Sequence, residues 1–258
     1  MIPYDIVLKS LVAGLLASLA CGLGVLPLMI KRIDPARHTG LAYGLAGGLM
    51  FSASVYNLIL PGLTLSSYQI RFSDTWPVLL GMFMGALFLS LTNTYLSRER
   101  LEKKSWKRWG TKAELLIFIA MAVHSLPEGV AVGVGYASEA VYDNQLGNYM
   151  AVAIGIHNIP EGLAIGIPLR AAGSSIPRAF WAAVLTSIPQ PLAAVPASMA
   201  SWLFQPLMPV FMGFAAGAMI FLVIIEIIPD ALESESAHHT AWAFISGFCL
   251  MLLIQVLL

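Results

Sequence analysis

The stretch AVHSLPEGVAVGVGY, residues 122–136, is apolar almost throughout, yet it carries a histidine, a proline and a glutamate within five residues. A similar stretch, GIHNIPEGLAIGIPL, follows at residues 155–169. Ionisable residues are costly in long hydrophobic segments and are usually functional there. The repetition of the same set therefore indicates a shared task for the two stretches.

The composition indicates an integral membrane protein. Hydrophobic residues make up 58% of the 258 residues, charged residues only 11%, and the mean hydropathy is +0.80. Soluble domains carry about 25% charged residues. The net charge of zero argues against a nucleic-acid partner. The two cysteines, Cys21 and Cys249, lie in separate apolar segments and form neither a disulfide framework nor a metal-type pattern.

Eight segments are long enough to cross a membrane, which requires about 20 apolar residues. We therefore predict an all-α integral membrane fold with eight transmembrane helices in a single domain, residues 1–258. Helices are expected because backbone groups in lipid must satisfy their own hydrogen bonds. Spans one to eight are approximately residues 4–30, 40–63, 76–97, 113–136, 147–169, 177–203, 208–230 and 240–258.

Lysine and arginine predict the orientation, because short cytoplasmic loops carry an excess of both. With eight spans, twelve basic residues fall on one side, in segments 31–37, 98–112 and 170–178. Only Lys9 and Arg71 fall on the other side. Both termini are therefore expected on the extracellular or periplasmic side of a multi-pass protein of the cell (inner) membrane.

Two weakly similar stretches, residues 44–61 and 213–229, predict an internal repeat. They share glycines, a methionine and a polar residue at matching positions. The matching pairs are Gly44 and Gly213, Gly48 and Gly217, Met50 and Met219, and Asn57 and Glu226. Spans two and seven run in opposite directions, as do spans four and five, which carry the histidine motifs. We therefore predict a 3+2+3 inverted-repeat arrangement, which is typical of transporters.

The two histidine motifs predict a metal site. His124 and Glu128 are four residues apart, as are His157 and Glu161, so each pair lies on one face of its helix. A carboxylate near the middle of a span costs about 2.5–3.5 kcal/mol. Neither span supplies a nearby Lys or Arg to neutralise it. Two imidazoles and two carboxylates suit zinc or a neighbouring first-row divalent ion.

The residue after each histidine predicts a second metal position beside the first. On a helical wheel, each glutamate lies between its histidine and the following Ser125 or Asn158. Span six contains TSIPQPLAAVP, residues 186–196, a degraded third copy of the motif that places Gln190 where the others have glutamate. Its prolines should break the helix locally. The second position, on the Ser125 and Asn158 side of the glutamates, is expected to be poorer in ligands, and Gln190 offers an oxygen ligand without a charge.

Other residues are candidates for contact with a metal in transit. Met50 offers a soft sulfur, although methionine also fills gaps in apolar cores. Glu226, in span seven, is either a metal waypoint or an interfacial carboxylate. The segment DALESESAHH after it contains Asp230, His238 and His239. These residues either receive exiting metal or form an ordinary solvated loop.

The paired motifs HSLPEG and HNIPEG, together with eight spans, resemble the ZIP (Zrt/Irt-like protein) family of metal transporters, in particular its bacterial, short-loop branch. The resemblance implies uptake of zinc and similar divalent ions into the cytoplasm by alternating access, in an elevator-like movement, and a homodimer. It implies a primary site of five polar ligands, with Met50 in the position of a span-two methionine. These five residues are His124, Glu128, His157, Asn158 and Glu161.

The sequence departs from the family pattern at the second metal position. Family members with two metals have asparagine after the first histidine and glutamate in span six, where this chain has Ser125 and Gln190. We therefore expect one firm metal site and a weak or empty neighbour. The ligand types admit zinc, iron, manganese, cobalt and cadmium as the transported ion.

Three alternatives to import follow from the residues alone. The chain could export metal, since only the resemblance favours import. It could bind haem through His124 and His157, which leaves both glutamates unexplained. It could be an intramembrane metalloprotease, but the His-Glu-x-x-His pattern of such enzymes is absent from the sequence. We therefore expect a transporter and not an enzyme.

Overall fold

The computed structural model describes residues 4–30, 39–65, 72–96, 112–171 and 173–257. The regular elements in these ranges are helical. The α-helices are α1 (Tyr4–Leu23), α2 (Thr39–Ala53), α3 (Leu60–Thr64), α4 (Phe72–Leu96), α5 (Lys112–Tyr142), α6 (Leu146–Ala171), α7 (Ile176–Thr186), α8 (Pro189–Leu203), α9 (Met208–Leu222), α10 (Ile228–Ser234) and α11 (Ala237–Leu257). Short 3₁₀ turns follow α1 at Leu26–Met29 and precede α9 at Gln205–Leu207.

Seven helical stretches in the described ranges are long and apolar enough to cross a membrane. They coincide with all the predicted spans except span four, residues 113–136. That span lies within α5, which has 31 residues and is therefore about 45 Å long. The basic segments 31–37 and 98–111, on which the predicted orientation rests, lie outside the described residues.

The helices pack in two groups. In the first group, α5 packs along α8, and α1 packs along α6, α7 and α8. In the second group, α4 packs along α9, and α2 packs along α11. The main contacts between the groups join α5 to α9 and α6 to α2. These pairings are symmetric when span one is exchanged with six, two with seven, three with eight, and four with five. For example, the contact of α4 with α9 becomes the contact of α11 with α2. The 3+2+3 inverted repeat stays a prediction that this packing supports.

Spans two and seven share a local irregularity. Between α2 and α3, residues Ser54–Ile59 form a π-helix, and between α9 and α10, residues Val223–Ile227 form another. Asn57 and Glu226, which match in the sequence repeat, lie within these segments. Single π-turns inserted in α-helices are frequent at functional sites. The two stretches therefore correspond in backbone conformation as well as in sequence.

Span six is broken, as its prolines predicted. The helix α7 ends at Thr186 and α8 begins at Pro189, so that Ser187 and Ile188 form a turn. Serines from two neighbouring helices donate hydrogen bonds to carbonyl groups at this break. Ser125 Oγ on α5 donates to Thr186 O at 3.2 Å, and Ser18 Oγ on α1 donates to Ser187 O at 2.8 Å. The break places Gln190 in the first turn of α8, beside both motif helices.

Glycines allow the motif helices to approach their neighbours at backbone distance. A Cβ atom at Gly129 would lie 2.2 Å from the carbonyl oxygen of Gln190. A Cβ atom at Gly162 would lie only 1.6 Å from the carbonyl oxygen of Cys21. Real Cβ atoms do not approach backbone this closely, so each motif needs its glycine for packing. Unlike span six, the motif helices are not broken by their prolines. The helix α5 continues through Pro127, and α6 continues through Pro160.

Candidate metal centre

Three ionisable side chains from the two motif helices meet in the interior. Glu128 on α5 and His157 and Glu161 on α6 each present a ligand atom, and these atoms lie within 4.8 Å of one another. The side chains are almost completely buried, with 1%, 0% and 4% of their surface exposed. The packing of α5 against α6 brings the two glutamates together, although 33 positions separate them in the sequence.

The hydrogen bonds of these three side chains are incomplete. His157 Nε2 lies 3.3 Å from Glu128 Oε1, and the other ring nitrogen, Nδ1, is buried. Neither that Nδ1 nor either carboxylate oxygen of Glu161 has a hydrogen-bond partner among the described residues. A buried carboxylate without partners is strongly destabilising while it is ionised, and a bound cation or a proton removes that cost. The geometry therefore fits a positive ion held by Glu128, His157 and Glu161.

Asn158 and Gln190 flank the centre in a line of hydrogen bonds. Asn158 Nδ2 donates to Ala17 O at 3.0 Å and to Gln190 Oε1 at 3.1 Å. Gln190 Nε2 donates in turn to Glu128 Oε2. Asn158 Oδ1 is buried without a partner in the described part of the chain and is free to bind a metal. The structure thus brings the predicted residues Asn158 and Gln190 to the centre.

His124 lies outside the three-residue group, although it is only one turn from Glu128. Its Nε2 is 3.3 Å from Glu226 Oε2, and Glu226 Oε1 accepts a hydrogen bond from Asn93 Nδ2 at 3.1 Å. A small cavity of about 50 Å³ adjoins the three polar side chains. It is lined further by Leu89, Thr92, Val123, Phe221, Leu222 and Ile225. His124 and Glu226, predicted as ligand and waypoint, therefore form one pair.

Other predicted site residues lie elsewhere. Met50 is buried in the main apolar core, and its role as a ligand stays a prediction. The single hydroxyl proton of Ser125 has two carbonyl acceptors within reach, Met121 O at 3.1 Å and Thr186 O at 3.2 Å. The predicted relay residues, which lie in α10 and in the first turn of α11, are exposed, and in the described part of the chain they do not join the three-residue group. These residues are Asp230, His238 and His239, the last paired with Glu235 at 3.0 Å.

Comparison of the sequence with known proteins identifies the family of this chain. A sequence profile described as ZIP zinc transporter matches residues 103–255, more than half of the chain. The chain belongs to the ZIP family. The matched range contains both histidine motifs, Gln190 and Glu226, and it confirms the resemblance based on HSLPEG and HNIPEG.

Relatives of this ZIP protein carry the names of zinc transporters. It is 34% identical to the zinc transporter GufA of Myxococcus xanthus, over 93% of this chain and 97% of that protein. It is 33% identical to the zinc transporter ZIPB of Bordetella bronchiseptica, over 96% of this chain and 81% of that protein. The human zinc transporter ZIP11 is 42% identical over 62% of this chain, which spans about half of that protein's length, 47%.

The family and the seven membrane-length helices together identify a multi-pass membrane protein of the bacterial ZIP type. Two contacts of the predicted site residues escaped the sequence prediction. Asn93 holds Glu226, and the polar run from Thr92 to Thr94 in span three was the only available signal for it. The carbonyl group of Ala17 holds Asn158, and no sequence signal points to it, since every residue has a carbonyl group.

Proposed function

We propose that the chain carries zinc and similar divalent first-row ions across the membrane into the cytoplasm, bound in transit by Glu128, His157 and Glu161. The observation that supports this most strongly is the Glu161 carboxylate, whose two oxygens are buried without partners in the described part of the chain. Its neighbours are a second carboxylate and an imidazole, a mixed set that suits zinc better than calcium or magnesium. The transported ion supplies the missing positive charge.

Asn158 is the fourth ligand of the proposed centre. Its amide nitrogen is engaged with Ala17 and Gln190, so that its oxygen faces away from both. An imidazole nitrogen, two carboxylates and an amide oxygen together give the four ligands that divalent zinc prefers. The net charge of the loaded centre is then zero, because the charge of the ion cancels the charges of Glu128 and Glu161. Neutrality is what the low-dielectric interior of a membrane favours.

The His124–Glu226 pair provides the next position for a moving ion. His124 is one helical turn from Glu128 and belongs to the same face of α5, so an ion can pass from one pair to the other along that helix. Glu226 belongs to α9–α10 in the second helix group, and the ion would therefore pass between the groups. Asp230, His238 and His239 extend the proposed route toward the cytoplasm.

The two helix groups suggest how access alternates. The centre lies between α5 and α6, with Ala17 and Gln190 from the same group beside it. The group formed by α1 and α5–α8 can move as a unit against the remaining helices. We propose this elevator-like movement, with both termini outside the cytoplasm, in a homodimer of the cell (inner) membrane. Inverted repeats support such two-state movement in other transporters.

Zinc uptake into proteoliposomes tests the proposed function. Glu161→Gln removes one negative charge without changing the size of the side chain. We expect it to lower uptake about 100-fold, which corresponds to about 2.8 kcal/mol at 1.4 kcal/mol per factor of ten. Glu233→Gln, an exposed position in α10, is the matched control and should transport like the wild type. Equal uptake by both variants would contradict the proposal.

The same preparation separates the alternatives. Vesicles of known orientation, loaded with zinc on one side only, distinguish import from export. A visible absorption spectrum of the purified protein detects haem directly. The structure favours metal over haem in one respect, because His157 and His124 pair with different carboxylates, Glu128 and Glu226. Both pairs would be disrupted by two axial bonds to one haem iron.

A further inference from the structure

The carbonyl group of Ala17 determines the orientation of a series of amide groups beside the metal centre. A backbone carbonyl accepts hydrogen bonds and cannot donate them. The Asn158 atom 3.0 Å from Ala17 O must therefore be the amide nitrogen, Nδ2. That nitrogen also donates to the side chain of Gln190 at 3.1 Å, so the Gln190 atom facing it must be the acceptor oxygen, Oε1. The orientations of both amides follow from one backbone group.

Gln190 consequently presents its NH₂ group to Glu128. Gln190 Nε2 donates to Glu128 Oε2, while Glu128 Oε1 faces His157 Nε2 at 3.3 Å. Gln190 itself is completely buried, and its side chain spans the space between α5 and α6 at the start of α8. Its oxygen is already engaged by Asn158 beside the centre, and its nitrogen by Glu128 within it.

We propose that Gln190 is a positioning residue and not a metal ligand. Its carboxamide takes the place of a second metal ion and limits the centre to one. The amide N–H donates a hydrogen bond to Glu128 Oε2, which leaves Oε1 facing His157. It accepts from Asn158, which turns the Asn158 oxygen away and leaves it free to bind. The inference rests on the proposed function, because it assigns a role to Gln190 within the same centre.

The break in span six places Gln190 at the start of α8, beside Glu128 and Asn158. Gln190 follows two residues after the turn at Ser187 and Ile188, and Ser125 and Ser18 hold the carbonyl groups of that turn. Ser125, the other residue of the predicted second position, is thereby engaged with Thr186 O on the span-six side. Both residues predicted as poor ligands for a second ion thus have structural partners instead.

Titration of the purified full-length protein with Co²⁺, followed by its visible absorption, tests the assignment. The wild type should bind one Co²⁺ per chain at the centre. Gln190→Leu keeps the volume but removes both hydrogen bonds, and it should still bind one Co²⁺, with a Kd about tenfold higher. Loss of a group that orients a metal ligand typically weakens binding 10- to 100-fold. Gln190→Glu adds an uncompensated carboxylate beside Glu128 and should raise the stoichiometry to two.

Gln255→Leu is the matched control, because Gln255 is also a glutamine within the membrane helices and donates to Tyr56 O at 3.4 Å, away from the centre. It should leave both Kd and stoichiometry unchanged. Two Co²⁺ in the wild type, falling to one in Gln190→Leu, would identify Gln190 as a ligand and overturn the proposal. An unchanged Kd in Gln190→Leu would also overturn it, as would a single Co²⁺ in Gln190→Glu.

The same titrations distinguish a failure of the Gln190 inference from a failure of the proposed function. If the wild type binds Co²⁺ and Glu161→Gln does not, the proposed metal centre is supported independently of the results for the Gln190 variants. If the wild type binds none, or if Glu161→Gln binds as tightly as the wild type, the proposed centre is wrong and the role of Gln190 is overturned with it. Gln190→Glu provides the second readout should Gln190→Leu fail to fold.

Discussion

The two copies of the histidine motif have nearly the same sequence but different surroundings. In α6, His157 faces a glutamate of the other copy, and Glu161 has no hydrogen-bond partner among the described residues. In α5, His124 faces Glu226 of the second helix group, and Glu128 is already bonded by Gln190. A duplicated motif therefore does not produce a symmetric site. Residues from other spans, Glu226 and Gln190, contact the copy in α5 and make its surroundings different from those of the copy in α6.

The largest effect should come from replacing each histidine by alanine in turn. His157→Ala removes a ligand of the proposed centre, and we expect it to weaken zinc binding about 100-fold, or about 2.8 kcal/mol. His124→Ala should leave binding at the centre within about threefold but slow uptake, because His124 holds Glu226 instead. Isothermal titration with zinc and proteoliposome uptake measure the two quantities. Equal loss of binding in both variants would mean that both histidines bind the ion, and it would contradict the asymmetric centre.

The glycines that follow the two glutamates provide a test of packing. Gly162→Ala would place a methyl group against the carbonyl oxygen of Cys21, and Gly129→Ala would place one against that of Gln190. We expect each to destabilise the protein by about 1–3 kcal/mol through overpacking. Thermal unfolding in detergent measures the loss.

Gly155→Ala is the control for this packing test. It lies on the same helix as Gly162, and a Cβ atom there would meet no atom of the described residues within 4 Å. It should unfold at the wild-type temperature or slightly above, because alanine favours helix. A melting temperature for Gly162→Ala as high as that of Gly155→Ala would contradict the close approach of α6 to α1.

The pH dependence of binding sharpens the distinction between the histidines. An imidazole must be neutral and a carboxylate ionised to bind a metal, so protons compete with zinc and affinity falls as pH falls. Between pH 7.5 and pH 5.5 we expect zinc binding to weaken about tenfold or more. The His124→Ala variant should keep this dependence, because all three ionisable ligands of the proposed centre, Glu128, His157 and Glu161, remain. Loss of the pH dependence in His124→Ala would place His124 among the ligands of the ion and contradict the assignment.

The smallest effect should come from Asn93→Ala. This change removes the amide that holds Glu226 Oε1 at 3.1 Å, at the far end of the His124 pair. A part-buried hydrogen bond of this kind contributes about 0.5–1 kcal/mol, so uptake should fall about two- to fivefold, with zinc binding at the centre unchanged. Uptake rates at saturating zinc measure this. A loss of binding equal to that of His157→Ala would place Asn93 in the centre itself.

Much of this protein was predictable from sequence because its signals are local. Apolar length placed the spans, the spacing of four residues placed His157 and Glu161 on one face, and the prolines near Gln190 predicted the break in span six. Partners between distant spans were not predictable. Nothing in the four-residue spacing of His124 and Glu128 indicates that they face different neighbours, because that depends on how α9 and α8 pack against α5.

Anomalous diffraction at the zinc absorption edge, from crystals of the wild-type protein grown with zinc, tests the metal centre most directly. We predict a single strong peak per chain, bounded by Glu128, His157 and Glu161, with Gln190 outside bonding distance of the ion. A peak bounded by His124 and Glu226 with nothing at the three-residue group, or a second peak ligated by Gln190, would contradict the single asymmetric centre.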